Sequence, residues 1–254
     1  MSLSPSPTAI HEAGGYRYIP AVFQYSGGVA AQPGFRIERA RLFKPLPMAA
    51  GFDAIAQHLA SLGRPNAAFC ACELRSPEPF TEAGFTAFNR LYVGRLREWG
   101  IMTDEVNPVA RTNVCPELDK PAEPSLYAFS YTVPDVSAPR GSFVVAGSGE
   151  APEGKGSYRD HTIRLGDVSP SGMRAKAEWV MGEMERRLAS LGFQWSDTTN
   201  THIYTVHDIH PFLPDLLVGR GAARKGVSWH YVRPPVADLD YEMDTRGVFF
   251  ERTI

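Results

Sequence analysis

Apolar residues recur at helical spacing in three stretches of this chain and alternate with polar ones in several others. Phe52, Ile55, Ala56, Leu59 and Leu62 share one face of a helix predicted over 51–62. Phe85, Phe88, Tyr92, Leu96 and Trp99 do the same over 81–99. Met173, Ala177, Val180, Met181, Met184, Leu188 and Leu191 line a third helix, 172–191, which Ser169 or Ser171 can cap. The first and third helices close on the same string, Leu59-Ala60-Ser61-Leu62-Gly63 and Leu188-Ala189-Ser190-Leu191-Gly192, each ending in a glycine suited to a left-handed C-cap. Strand patterns occupy 16–31, with a bulge at Ser26-Gly27-Gly28, and 35–43, 66–74, 126–133, 143–149, 200–207 and 238–244. In the last of these Leu239, Tyr241 and Met243 alternate with Asp238, Asp240, Glu242 and Asp244. One face therefore carries a row of carboxylates, which either meets water or pairs with cations such as Arg224, Arg233 or Arg246.

The order of elements repeats along with the five-residue string. Each copy is followed by a strand and by a turn ending in Pro-Phe, at Pro79-Phe80 and Pro211-Phe212. With 254 residues there is room for two domains of roughly 100–150 residues. The predicted division is a mobile arm over 1–15, a first half over 16–133, a linker over 134–140 that holds two prolines, and a second half over 141–254. The second half leaves too little chain between Phe212 and Arg224 for a full second helix, so one turn near 213–218 is the most expected there.

Charge and composition remove several function classes. Lysine plus arginine (26) nearly balance aspartate plus glutamate (28), which argues against nucleic-acid or anionic-membrane partners and for a small molecule or a protein. Three cysteines are an odd count and make a disulfide framework unexpected. Neither a membrane-length apolar run nor a basic-then-apolar leader is visible, and a reducing cytoplasm is the expected compartment. No cofactor is expected: Gly147-Ser148-Gly149 is followed by Pro152 where a dinucleotide fingerprint needs its third glycine. No metal is expected either, since His202 and His207 have opposite parity on a strand. Cys115 is a candidate site thiol or a small buried residue, and Trp229, His230 and Tyr231 are candidates for a pocket wall or for core.

Taken in order, the chain resembles the RidA/YjgF/L-PSP family of reactive-intermediate deaminases, as two fused copies. Phe85-Thr86-Ala87-Phe88-Asn89-Arg90-Leu91-Tyr92 resembles the family's second helix, and Pro108-Val109-Ala110-Arg111-Thr112 its Pro-Ala-Arg-Ser/Thr motif. Leu239-Asp240-Tyr241-Glu242 resembles the terminal strand with its water-positioning glutamate, and Ser26-Gly27 and Ala146-Gly147 the turns beside the site. The resemblance implies an α+β fold of two halves, each a mixed sheet backed by helices and the sheets joining into a barrel-like core. It also implies a homo-oligomer, with a trimer favoured. It points to Arg111, or Arg224 in the second half, as the anchor of a substrate carboxylate, with Asn89 and Arg233 as further binding candidates and Glu242 as the catalytic acid. A guanidinium's planar fork matches a carboxylate, and a structural pairing with the acidic strand is the other reading of either arginine. The first half reads Leu126-Tyr127-Ala128-Phe129 where the acid belongs, and the second lacks a counterpart of Asn89. A composite site of Arg111, Asn89 and Glu242 follows, within one chain or between chains. The implied activity is hydrolytic deamination of an imine, enamine or aminomuconate-like acid. Chorismatase-like hydrolysis, a non-catalytic carboxylate-binding module and a ribonuclease stand as alternatives.

Overall fold

A computed structural model describes residues 4–137 and 141–254. The first segments are β1 (Ala9–His11), β2 (Tyr16–Tyr18), β3 (Gly28–Ala31), β4 (Phe35–Pro47), α1 (Met48–Ser61), β5 (Phe69–Arg75), α2 (Glu82–Glu98), β6 (Ala110–Pro116) and β7 (Ser125–Pro134). They are followed by β8 (Phe143–Gly149), a short α3 (Tyr158–His161), α4 (Pro170–Ser190), β9 (Asn200–Tyr204), β10 (Ser228–His230), β11 (Val232–Arg233), β12 (Glu242–Gly247) and β13 (Glu251–Thr253). The strands form two sheets, ordered β1-β2-β3-β8-β12-β9-β10 and β11-β6-β5-β7-β4-β13.

Three hydrophobic layers hold the sheets and helices together. Phe52, Ile55 and Leu59 of α1 and Phe85, Tyr92 and Leu96 of α2 pack on one sheet, while Met173, Val180, Met184 and Leu188 of α4 pack on the other. Between the sheets lie Tyr16, Val29, Ile37, Cys70, Ala110 and Ala146. A register shift between Phe69 and Ala71 puts Cys70 in this middle layer, while Cys72 faces α2 and meets the Tyr92 hydroxyl. All three cysteines are buried and free.

The repeated string does the same mechanical job twice. Gly63 and Gly192 have φ of 64° and 79°. In each case the amide of the next residue returns to the leucine five earlier, Arg64 to Leu59 O at 2.9 Å and Phe193 to Leu188 O at 2.9 Å. Both helices thus end in the same left-handed cap. Thr81 Oγ1 and Ser169 Oγ accept from the amides of Gly84 and Gly172 at 3.1 Å and start α2 and α4. A single π-type turn, Leu213–Val218, stands where the short second segment predicts one turn.

The sheets share a plan. Strands β4-β7-β5-β6 and β8-β12-β9-β10 run in the same order with the same senses, antiparallel, antiparallel, then parallel. What the periodicity does not reveal is an exchange between them: β3 pairs with β8, carrying β2 and β1 with it, while β13 pairs with β4 and β11 with β6. Part of the expected arm, Ala9–His11, is therefore a strand, and 16–31 is two strands joined by a loop. Of the expected linker, 138–140 lie outside the described residues, and Pro134 belongs to β7. The barrel-like joining does not form. The sheets are stacked layers with separate edges, tied among the described residues by a Ser26–Ala110 bridge.

The closing strand is shifted too. Asp238 has φ of 72°, and the amides of Asp240 and Tyr241 donate to the Glu150 carboxylate at 2.6 and 3.1 Å, so the ladder begins only at Glu242. With β8 on one side and β9 on the other, β12 is central and its acids are buried. Asp244 accepts from Thr112 Oγ1 at 2.7 Å and Tyr204 Oη at 2.8 Å, and lies 3.1 Å from His202 Nδ1. Asp240 and Glu150 share the fully buried Lys176 at 3.0 and 3.1 Å.

Candidate active site

Arg111 enters the site from β6, whose flanking residues Val109 and Ala110 are buried apolar. Its guanidinium sits among four rings, with its carbon 4.9 Å from the Tyr92 centroid, 5.1 Å from Tyr25, 5.6 Å from Phe85 and 5.8 Å from Phe88. Asn89 on α2, one turn before Tyr92, accepts a hydrogen bond from Arg111 Nη1 through Oδ1. The group is 3 % exposed, and its Nε has no hydrogen-bond partner. Among the described residues no carboxylate pairs with it: every recorded ion pair uses another cation. Cation–π contacts return only about 0.5–2 kcal/mol each, against a desolvation penalty of several kcal/mol for a buried charge. Such a cation is built to receive an anion from outside the protein.

Across the cavity stands Glu242, 4 % exposed, from the first position of β12. Its carboxyl has no hydrogen-bond partner among the described residues. Burial holds its pKa well above the ordinary carboxylate range, the charges of Asp244 and Glu150 raise it further, and Arg111 and Arg187 only partly oppose this. The shift favours the protonated carboxyl. The room it needs comes from Gly147 on β8, where any Cβ would collide with Glu242 Oε1. Behind that glycine the buried Arg187 of α4 donates to the carbonyls of Ala146 and Gly147 at 3.1 and 3.3 Å and pairs with Glu153 at 2.8 Å. Glu153 in turn accepts from Tyr25 Oη at 2.8 Å.

Arg111 and Glu242 line one cavity, together with Tyr25, Phe85, Asn113, Tyr158 and the stretch 235–239. Its interior of about 30 Å³ has room for one or two waters, so a larger ligand enters only if the rings or 235–239 give way.

Arg111, Asn89 and Glu242 are thus brought together within one chain, the glutamate by a strand whose sheet packs against that of the arginine. The other two arginines named from the sequence are not in the cavity. Arg233 is on β11 and pairs with Glu117 at the surface, and Arg224 is exposed in the turn before β10. The acidic row explains both departures, because its partners are the buried Lys176 and His202. Arg246, also named, is buried beside the row, lowering the pKa of Asp244 and pairing with Glu251 at 2.6 Å. Cys115 does not line the cavity, and burial pushes its thiol up to about 12. Trp229, His230 and Tyr231 are likewise outside it, at the β10 edge. Among the described residues no group of three or more His, Cys, Asp or Glu is placed to hold a metal, and no helix is long and apolar enough to cross a membrane. Tyr25, Tyr158, Glu153 and Asn113 escaped the sequence reading. Of these only Asn113 carried a signal, standing two residues after Arg111 on a strand and hence on the same face.

A buried arginine without a carboxylate partner, facing a buried carboxyl across one cavity on stacked sheets, is the kind of site an enzyme acting on a small acid needs. The fold is similar to that of a crystallised chorismatase, with a TM-score of 0.50 at 14 % identity over 87 % of this chain and 77 % of that one. The YjgF gene product from E. coli is matched over 42 % of this chain and 80 % of its own, at 16 % identity and a TM-score of 0.30. In sequence, the 2-amino-5-chloromuconate deaminase of Comamonas testosteroni is 52 % identical over 246 residues, covering 96 % of this chain and 98 % of that protein. The family described as 2-aminomuconate deaminase CnbZ matches residues 8–252, and the chain belongs to it. It is a deaminase.

Proposed function

We propose that this enzyme removes the amino group of a 2-aminomuconate by hydrolysis, at a composite site in which Arg111 and Asn89 hold a substrate carboxylate and Glu242 moves the protons. The carrying observation is the buried Arg111, without an anion of its own, aimed at the cavity that Glu242 lines. The protonated Glu242 gives its proton to the enamine carbon, leaving an iminium. Water attacks the carbon that bears nitrogen and returns a proton to the Glu242 carboxylate. That proton passes to the amine, ammonia leaves as the carbonyl forms, and the carbonyl's surplus proton restores the acid. The sum is one water added and one ammonia released. Arg111 favours ionisation of Glu242, and it does so least when its own charge is matched by the bound carboxylate, so substrate binding favours the acid form of Glu242.

The shared order of β4-β7-β5-β6 and β8-β12-β9-β10 supports a reading of the chain as two RidA-like halves with exchanged ends. By the same likeness we take a homo-oligomer, a trimer, as the working assembly; light scattering that finds only monomer overturns it. The test of function is ammonia release from freshly generated 2-aminomuconate. Arg111→Ala should raise KM and Glu242→Gln should depress kcat, with chorismate giving no product. Full activity in both variants, or loss in Arg224→Ala alone, refutes the composite site.

A further inference from the structure

Resting on that reading, we infer that Asn113 is a second anchor, donating from its side-chain amide to the substrate carboxylate at the end remote from Arg111, and so selects diacids over monoacids. Asn113 is 2 % exposed and lines the cavity. Its Oδ1 is occupied by Ser76 Oγ at 3.0 Å, and Ser76 is fully buried, which leaves Nδ2 as the free end. That Nδ2 is buried and has no hydrogen-bond partner. A buried donor left unpaired is costly, and the same cavity is lined by Arg111, whose Nε is also buried and unpaired.

Spacing assigns the two ends. Arg111 and Asn113 are alternate residues of β6, so their side chains leave the strand about 7 Å apart on one face. That separation at the strand suits the two ends of a muconate-length chain. The wall beyond Asn113 is apolar, from Pro235, Val236 and Leu239. A neutral amide there fits a site whose unpaired cation is already taken by the first carboxylate, and it discriminates by hydrogen bonding.

The test uses stable competitive ligands. Muconate carries a carboxylate at each end; sorbate has the same six-carbon chain with one. Wild-type enzyme should be inhibited more tightly by muconate. Asn113→Ala should weaken muconate about tenfold, the effect of one hydrogen bond to a charged acceptor, and leave sorbate unchanged. Asn113→Asp, which keeps the shape and the Ser76 contact but sets a carboxylate against a carboxylate, should weaken muconate further, again sparing sorbate. Equal loss of both ligands, loss of neither, or a wild type that does not prefer muconate overturns the assignment. Arg111→Ala separates the two levels: if it weakens both ligands while Asn113→Ala is not selective, only the second anchor fails. If it weakens neither, the site itself is misplaced.

Discussion

Glu242→Gln is expected to slow the enzyme while making it harder to unfold at neutral and alkaline pH. The carboxyl is buried and unbonded among the described residues, and its pKa is raised by desolvation and by Asp244 and Glu150. In the unfolded chain the same group ionises near its ordinary pKa of about 4.3. Below that value both states carry the proton and the group is neutral to stability. Above it the unfolded state sheds the proton first, and the folded state loses about 1.4 kcal/mol per pH unit until the folded carboxyl ionises too. Glutamine has no proton to withhold. The melting temperature of the variant should therefore match wild type near pH 4 and exceed it increasingly as pH rises until the folded carboxyl itself ionises, by about 2–4 °C for each kcal/mol in a chain of this size. Turnover should fall by about 10²–10⁴, the usual worth of a general acid–base. Scanning fluorimetry across pH and steady-state ammonia release read the two effects. A melting difference that is the same at pH 4 and pH 8 would show that the folded state does not penalise the Glu242 charge, and a kcat within about threefold of wild type would show that Glu242 is not catalytic.

Arg111→Ala should lower kcat/KM by about 10–200-fold, the loss of about 1.5–3 kcal/mol from a charge-assisted contact, whereas Arg224→Ala and Arg233→Ala should leave kinetics unchanged. Gly147→Ala drives a methyl into Glu242 Oε1 and presses on Thr112 Cγ2 at 3.1 Å, so activity should collapse while the far-ultraviolet circular dichroism stays that of wild type. Lys176→Met leaves Glu150 and Asp240 buried together without their cation, and urea unfolding should show a loss of about 3–5 kcal/mol. Adding Glu150→Gln, which removes the stranded charge while its side-chain oxygen can still accept from the Asp240 amide, should recover part of it, and a double variant no more stable than the single one would contradict the pairing.

The elements that could be read from the sequence are those decided locally. Face periodicity marked α1, α2 and α4, and Gly63 and Gly192 marked the ends of α1 and α4, because a helix stripe and a left-handed cap are set by neighbours within one turn. The alternation of Tyr241 and Met243 against Glu242 and Asp244 also held, with the apolar pair facing α4 and the acids facing the other sheet. Motifs singled out Arg111, Asn89 and Glu242, which the fold places near one another. The partners of the acidic row were not, since Lys176 reaches Asp240 from a helix more than sixty residues earlier, and no local pattern encodes that pairing. Likewise nothing in Ala9–His11 or Glu251–Thr253 says which sheet edge each will find, as edge pairing depends on backbone groups presented by distant chain.

The exchanged ends also govern when this enzyme can exist during its own synthesis. Gly28–Ala31 must wait for Phe143–Gly149 to be made before its second edge has a partner, and Phe35–Pro47 keeps one edge open until Glu251–Thr253, far downstream, arrives to cover it. A ribosome carrying the first half alone thus holds an incomplete sheet, with Ile37, Cys70 and Ala110 still lacking the layer they pack against. Emerging chains are obliged to bridge that interval with exposed apolar surface, a period in which pairing with a neighbouring nascent chain competes with the native closure.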